Sequence, residues 1–306
     1  MPNVEHAPSA YGIAPPGFRL PDATHLGRVR LQVADLDRSI AYYETVLGLR
    51  LIDRSGEMAR LGASAHDAET SGNDVLVELH AKPGVRPVAR RGHIGLYHFA
   101  ILLPDRASLG RLIEHLTSLG IHAGMSDHLV SEAIYLQDPD GLGIEVYADR
   151  PRDSWRHEDR QLLMTTEPLD VPSVVGAGGG VAWSGAPAGT VIGHVHLYVR
   201  DLDRASEFYH EGLGLDKVVW GYPGALFMSA GGYHHHLGTN TWAANAPLPT
   251  DDDARLLEWE IIVPDAGTVA AAAESLQDRG FEARREDTAV VARDPWGTQL
   301  RILSTV

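Results

Sequence analysis

The chain has no cysteine in 306 residues, which excludes disulfides, iron–sulfur clusters and thiolate zinc sites. Any metal must therefore be held by histidine, aspartate or glutamate, and 16 histidines are a generous supply. No apolar run approaches the ~18 residues that span a bilayer. Basic residues are scarce too: 26 Lys+Arg against 41 Asp+Glu leave a formal charge of −15, spread along the chain. That balance gives no electrostatic footprint for nucleic acid or an anionic membrane. The opening segment MPNVEHAPSAYGIAPPGF has neither a basic start nor an apolar stretch, so it does not read as a secretory signal. Together with the missing cysteines, this leads us to expect a cytoplasmic protein. What is present is enough apolar sequence, 44%, for two substantial cores.

Internal repetition organises the chain. Residues 35–49, DLDRSIAYYETVLGL, recur at 201–215 as DLDRASEFYHEGLGL, with eight of fifteen positions identical. Each copy follows a strand ending in valine, begins with an aspartate suited to cap a helix, and closes on a glycine, Gly48 or Gly214. Between them, HFAILLPD leads into a segment whose Leu109, Leu112, Ile113, Leu116 and Leu119 keep the helical period up to Gly120. A fourth copy opens at Glu258 with EWEIIVPD and carries the turn Asp294-Pro295-Trp296-Gly297, which echoes Asp138-Pro139-Asp140-Gly141. The spacing predicts an α+β protein of four βαβββ modules at 25–83, 94–149, 191–243 and 256–305. Residues 1–21 are expected to be a flexible tail and the Pro- and Gly-rich stretch 150–190 a linker. The two domains are then 22–149 and 191–306.

Three residues occupy corresponding places in this repeat. His98 and His194 each open a module's first strand, five residues before its last apolar residue, and Glu145 follows the Asp138 turn by seven. Two imidazoles and one carboxylate on separate strands are the set that binds Fe(II) and leaves positions open for O₂ and substrate. The corresponding positions hold Arg28 in module one, and Glu258 and Arg301 in module four. Those modules have lost the set, and Glu258 with Arg301 suggests an ion pair instead. The intact positions thus lie in modules two and three, which we expect to share one half-barrel. The alternative places the site in the C-terminal pair, with His194, one of His234–His236, and Glu258.

Four such modules, with DLDRS-type helix starts and DPDG…E strand ends, resemble the vicinal oxygen chelate superfamily of glyoxalases, bleomycin-resistance proteins and extradiol dioxygenases. The strings GLYHFAILLPDR, DPDGLGIEVYADRPR, IGHVHLYV and GGYHHHLGTNTW resemble the bacterial two-domain catechol 2,3-dioxygenases in particular. The resemblance implies two tandem domains, and an Fe(II) or Mn(II) ion on His98, His194 and Glu145. It also implies cleavage of catechol or a substituted catechol by O₂, giving products of the 2-hydroxymuconic semialdehyde type. It further implies a catalytic histidine at His235 and a catalytic or substrate-binding tyrosine at Tyr135. His128, His236 and Trp242 are candidate substrate-binding residues on the pocket wall. Alternation along a strand would put His234 and His236 on one face and His235 on the other. His196 reads as a buried polar neighbour of the site. Two other functions stay open: a non-oxidative metalloenzyme of the same fold (lyase, isomerase or glyoxalase-like), and a metal-free binding or resistance protein. The expected partner is a small aromatic diol, with association into a homo-oligomer.

Overall fold

Each repeat folds as a strand, a helix and three strands. The computed structural model describes residues 11–63 and 75–305. Module one comprises β1 (His25–Val33), α1 (Leu36–Thr45), β2 (Arg50–Ser55), β3 (Met58–Gly62) and β4 (Val75–Ala81). Module two comprises β5 (Gly95–Leu102), α2 (Arg106–Ser118), β6 (Gly124–Asp127), β7 (Ser131–Gln137) and β8 (Gly143–Asp149). Then come the short strands β9 (His157–Glu158) and β10 (Gln161–Leu162) and helix α3 (Val171–Ala177). Module three has β11 (Val191–Tyr198), α4 (Leu202–Ala205), a π-helical continuation Ser206–Gly212, β12 (Asp216–Val219), β13 (Ala225–Ser229) and β14 (Leu237–Asn240). Module four has β15 (Arg255–Val263), α5 (Ala266–Asp278), β16 (Ala283–Glu286), β17 (Ala289–Arg293) and β18 (Gln299–Ser304).

The repeated aspartate does the same job four times. Asp35, Asp105, Asp201 and Asp265 are extended residues whose carboxylates accept the N–H of Arg38, Ser108, Arg204 and Thr268, each capping its helix. Such a cap contributes about 0.5–2 kcal/mol. Past the other end of these helices, Gly48, Gly120, Gly214 and Gly280 have φ of 70°, 69°, 93° and 80°, the left-handed turn that glycine takes without strain. In α2, Leu109, Leu112, Ile113 and Leu116 are buried as their period requires, whereas Leu119 is exposed because the helix has already ended.

The strands form two eight-stranded sheets, each drawing one module from either side of the 150–190 segment. One runs β16-β17-β18-β15-β1-β4-β3-β2 and joins modules four and one; the other runs β12-β13-β14-β11-β5-β8-β7-β6 and joins modules three and two. Within a module the first and last strands are parallel; the first strands of partner modules meet antiparallel at the seams β1·β15 and β5·β11. This is the pairing that the ligand positions demand, and the sequence halves 22–149 and 191–306 each contribute to both sheets. Tyrosines of the repeated helix lock the sheets together, Tyr43 donating to Asp138 Oδ2 at 3.4 Å and Tyr209 to Asp294 Oδ2 at 2.9 Å.

Two expectations need correction. Residues 11–21 are not a loose tail: Ile13 bridges Lys217, Arg19 Nη2 pairs with Asp216 at 2.6 Å, and Leu20 is buried. Burying Leu20 and satisfying the Ile13 backbone outweighs the chain entropy that a tail would keep. Residues 1–10 lie outside the described residues. Nor is 150–190 a free tether, because α3 docks on α2 at Gly110, where even a Cβ would come within 2.2 Å of Val174 O. Ala186 N also donates to Gly48 O at 2.8 Å. No helix among the described residues is long and apolar enough to cross a membrane.

Candidate metal centre

Sheet register builds the site. In the seam of modules two and three, Ala100 on β5 lies between Glu145 on β8 and His194 on β11, while His98 faces His196 one step along. Alternation puts His98 and Ala100 on one face, so three polar side chains converge over a methyl group. A larger residue at position 100 would fill the space where they meet. His98 Nε2 and His194 Nε2 lie 3.0 and 3.3 Å from the same atom, Glu145 Oε2. Ligands about 2.1 Å from one ion at right angles stand about 3.0 Å apart, so this spacing suits adjacent positions around a divalent cation.

The chemistry of the donors agrees. All three side chains are buried, and both ring nitrogens of His98 and Nδ1 of His194 have no hydrogen-bond partner. Unsatisfied buried nitrogens of this kind call for an explanation, and a metal ion supplies one. Burial depresses His194 to about 4, against the opposing pull of Glu145, so its imidazole is neutral with a lone pair to give. Burial also opposes ionisation of Glu145, but His194 and His98 overcome it and hold the carboxyl well below the usual range. A neutral His194 imidazole beside an ionised Glu145 is a protonation pattern that binds a metal. Among the described residues, this is the one cluster of three such side chains with metal-binding spacing.

A cavity of about 990 Å³ opens beside the cluster, lined by His98, Glu145, Tyr135, His128, His235 and Trp242 among others. That strands β5, β7, β8, β11 and β13 all face it shows how far the sheet curls. Tyr135 is paired with Glu145 across β7 and β8, and its ring centroid is 5.7 Å from that of His98. His128 Nδ1 lies 2.6 Å from Thr165 O and must donate to it, which leaves Nε2 to accept from the Tyr135 hydroxyl at 2.6 Å. Burial, reinforced by Glu145, pushes the Tyr135 phenol well above its usual value, so it stays protonated.

The three consecutive histidines lie in the loop before β14, not on a strand, and they part company. His235 faces the cavity, with its ring centroid 4.1 Å from that of His194. His234 is sandwiched between His235, Nδ1 to Nδ1 at 2.7 Å, and Asp149 Oδ1, 2.9 Å from its Nε2. His236 is the correction: its Nδ1 accepts from Ala230 N at 3.1 Å, and it does not line the cavity. A hydrogen bond within its own loop holds it away from substrate.

His196 lines the cavity, and its Nε2 is 2.9 Å from Asn240 Nδ2, which donates to it. Glu258 of the alternative site belongs to the other sheet, where Arg30, Arg301 and Gln299 surround it. Residues that sequence reasoning missed are Ala100, two places after His98, and Asp149, four after Glu145. An alanine in an apolar strand and an aspartate at a strand end carry no signal of their own.

A family model, described as the Glyoxalase/Bleomycin resistance protein/Dioxygenase superfamily, matches residues 25–146 and 191–302. The chain belongs to this superfamily. It is 40% identical over 280 residues to a catechol-2,3-dioxygenase of Bacillus subtilis (strain 168), an alignment spanning 89% of this chain and 94% of that one. In fold it is similar to a crystal structure of a candidate dioxygenase from Bacillus subtilis subsp. subtilis str. 168, at TM-score 0.62 and 15% identity, covering 94% of this chain and 86% of the other. It is also similar to glyoxalase I of Zea mays, at TM-score 0.54 and 20% identity with 92% of each chain covered. These two likenesses concern the fold alone. Within the superfamily, the fold accommodates more than one chemistry, so the donor set has to decide the reaction.

Proposed function

We propose that this protein is an extradiol ring-cleaving dioxygenase that inserts both atoms of O₂ beside the diol of catechol or a substituted catechol. The product from catechol itself is 2-hydroxymuconic semialdehyde. The observation that carries this reading is the buried His98–Glu145–His194 set at the wall of a cavity large enough for an aromatic ring. The 40% identity to a catechol-2,3-dioxygenase supports it. His98, His194 and Glu145 would hold Fe(II), with Mn(II) the alternative that the same donors accept. When bound, the ion would supply Lewis-acid activation of the diol and of O₂.

The protein's own residues handle the protons. Asp149 accepts from His234 Nε2, and His234 Nδ1 and His235 Nδ1, 2.7 Å apart, share one N–H between them. That chain orients His235 at the cavity wall, where it is placed to take a diol proton and return it later in turnover. Burial, with His194 and His234 nearby, depresses His235 well below the usual histidine range, which keeps it a base at neutral pH. The Tyr135 hydroxyl directs its hydrogen bond to His128, so its oxygen lone pairs are left to orient a substrate hydroxyl. Trp242, whose ring centroid is 5.8 Å from that of His196, provides an apolar wall for the aromatic ring.

The test is anaerobic loading with Fe(II) or Mn(II), followed by catechol and air-saturated buffer. One O₂ should be consumed per catechol, with a yellow product. Metal-loaded protein that consumes no O₂ with any catechol would sink the reading. A non-oxidative metalloenzyme would call for a fourth protein ligand, and the described residues bring together three.

A further inference from the structure

One stretch of the cavity wall is cationic. Arg90 and Arg91, in the segment joining β4 to β5, both line it, and neither has a carboxylate within ion-pair distance among the described residues. The single carboxylate in the lining is Glu145, already engaged by His98 and His194. Two guanidinium groups with no carboxylate partner among the described residues, in a cavity of a chain with net charge −15, are an inversion of the local field. A cleft walled by one sign of charge concentrates ligands of the other.

Their placement is specific. The Arg90 side chain lies against the Tyr97 hydroxyl and the Arg91 side chain against the Tyr198 hydroxyl. The Tyr97 ring is 4.8 Å from Tyr198 and 4.6 Å from His98, centroid to centroid. Arg90 is thus held one aromatic ring from His98 and Arg91 two, along the wall of the same cavity. Each guanidinium carries five N–H donors, and one tyrosine oxygen leaves most of them free. The cavity, about 990 Å³, is at the top of the range of about 300–1,000 Å³ that holds drug-sized ligands, far beyond what an unsubstituted diol ring fills.

We propose that Arg90 and Arg91 form a carboxylate-recognition site, and that the preferred substrate is a catechol carrying an anionic arm on its ring. This rests on the ring-cleaving reading above. The diol is seated at His98, Glu145 and His194, and the arm reaches the arginines, whose planar forks match a carboxylate.

The experiment compares 3,4-dihydroxyphenylacetate with 4-ethylcatechol, which has a similar arm and no charge, on the full-length metal-loaded protein. The wild type should favour the anion in kcat/KM. Arg90→Ala/Arg91→Ala should lower the ratio of the two about 10- to 100-fold, through KM, as expected for charge-assisted hydrogen bonds near solvent. Arg90→Glu/Arg91→Glu should invert the preference. Anaerobic calorimetry on the same samples should show tighter binding of the anion, weakened by salt and by the same substitutions. A wild type that binds and cleaves the neutral catechol as well as the anion overturns the proposal while ring cleavage stands. So does a double variant that loses both substrates equally. Anion-selective binding without cleavage of any catechol would instead overturn the ring-cleaving reading and leave the carboxylate site intact.

Discussion

The two sheets solve one electrostatic problem in two ways. Both bury carboxylates on or next to their central seams, Glu145 in one and Glu78 and Glu258 in the other. In the sheet of modules one and four, the neutralising cations belong to the chain. Glu258 meets Arg30 Nη1 and Arg301 Nε, both at 3.0 Å, and Glu78 meets Arg30 Nε at 2.7 Å and Arg60 Nε at 3.0 Å. In the sheet of modules two and three, Glu145 meets no arginine or lysine among the described residues but the imidazoles of His98 and His194, whose Nδ1 atoms have no hydrogen-bond partner. A buried carboxylate needs a cation, and a sheet that does not supply one from its own side chains is built to take one from solution.

The largest effect that tests this contrast is loss of metal. His194→Ala and Glu145→Gln should each lose tightly bound iron and ring cleavage together while circular dichroism stays native. Full iron occupancy in either would place the ion elsewhere. His235→Ala should retain iron but slow turnover by roughly 10²–10⁴-fold, the usual worth of a positioned acid–base group. Because His235 is depressed below the ordinary histidine range, the acid limb it contributes to the kcat/KM profile should fall below that range and vanish in the variant. His236→Ala, facing away from the cavity, should leave the profile's shape intact; a dead, iron-replete His236→Ala would show that the loop orientation is wrong.

Glu258→Gln should do the reverse of Glu145→Gln. It leaves the half-buried Arg30 and Arg301 beside an uncharged amide, still paired with Glu78 and Glu286, so urea unfolding should report a loss of about 1–3 kcal/mol with metal content unchanged. A fall in bound metal would erase the distinction between the sheets.

The smallest effect concerns the paired turns. Burial raises Asp138 to about 7, with Asp140 adding to the shift, and burial raises Asp294 in the same direction. The native state therefore holds a proton on Asp138 that the unfolded chain has released. The stability tied to that proton is fully present below about pH 4 and is lost as pH rises to about 7. Asp138→Asn should flatten this slope and be relatively more stable at pH 8 than at pH 4, by urea midpoint. Asp294→Asn should behave likewise, because this feature belongs to the turn and not to the metal. A difference in sign between the two would mean that the metal site reaches the turn.

Much was legible in the chain because it is local and repeated. Helix caps at Asp35, Asp105, Asp201 and Asp265 need only the next three residues, and a strand's alternation fixes which side chains share its face. The repeat therefore located His98, His194 and Glu145, and it exposed the substitutions at Arg28, Glu258 and Arg301. The fate of the segments flanking the modules was not legible. Residues 11–21 and 150–190 have the composition of loops, and only contacts far away in sequence, such as Arg19 with Asp216 and Val174 with Gly110, hold them.

The sequence by itself determined the modules, their caps and the donor positions, since these follow from short-range periodicity and repetition. Only the tertiary structure decided that β5 and β11 meet antiparallel, so that His98, Glu145 and His194 converge over Ala100. It also decided that His235 and not His236 faces the cavity, and that Arg90 and Arg91 stand at its wall without a carboxylate partner among the described residues. These depend on register between strands some ninety residues apart and on where a loop's hydrogen bonds are satisfied. No local pattern encodes such contacts, because their energy comes from groups that become neighbours only after the sheet has formed.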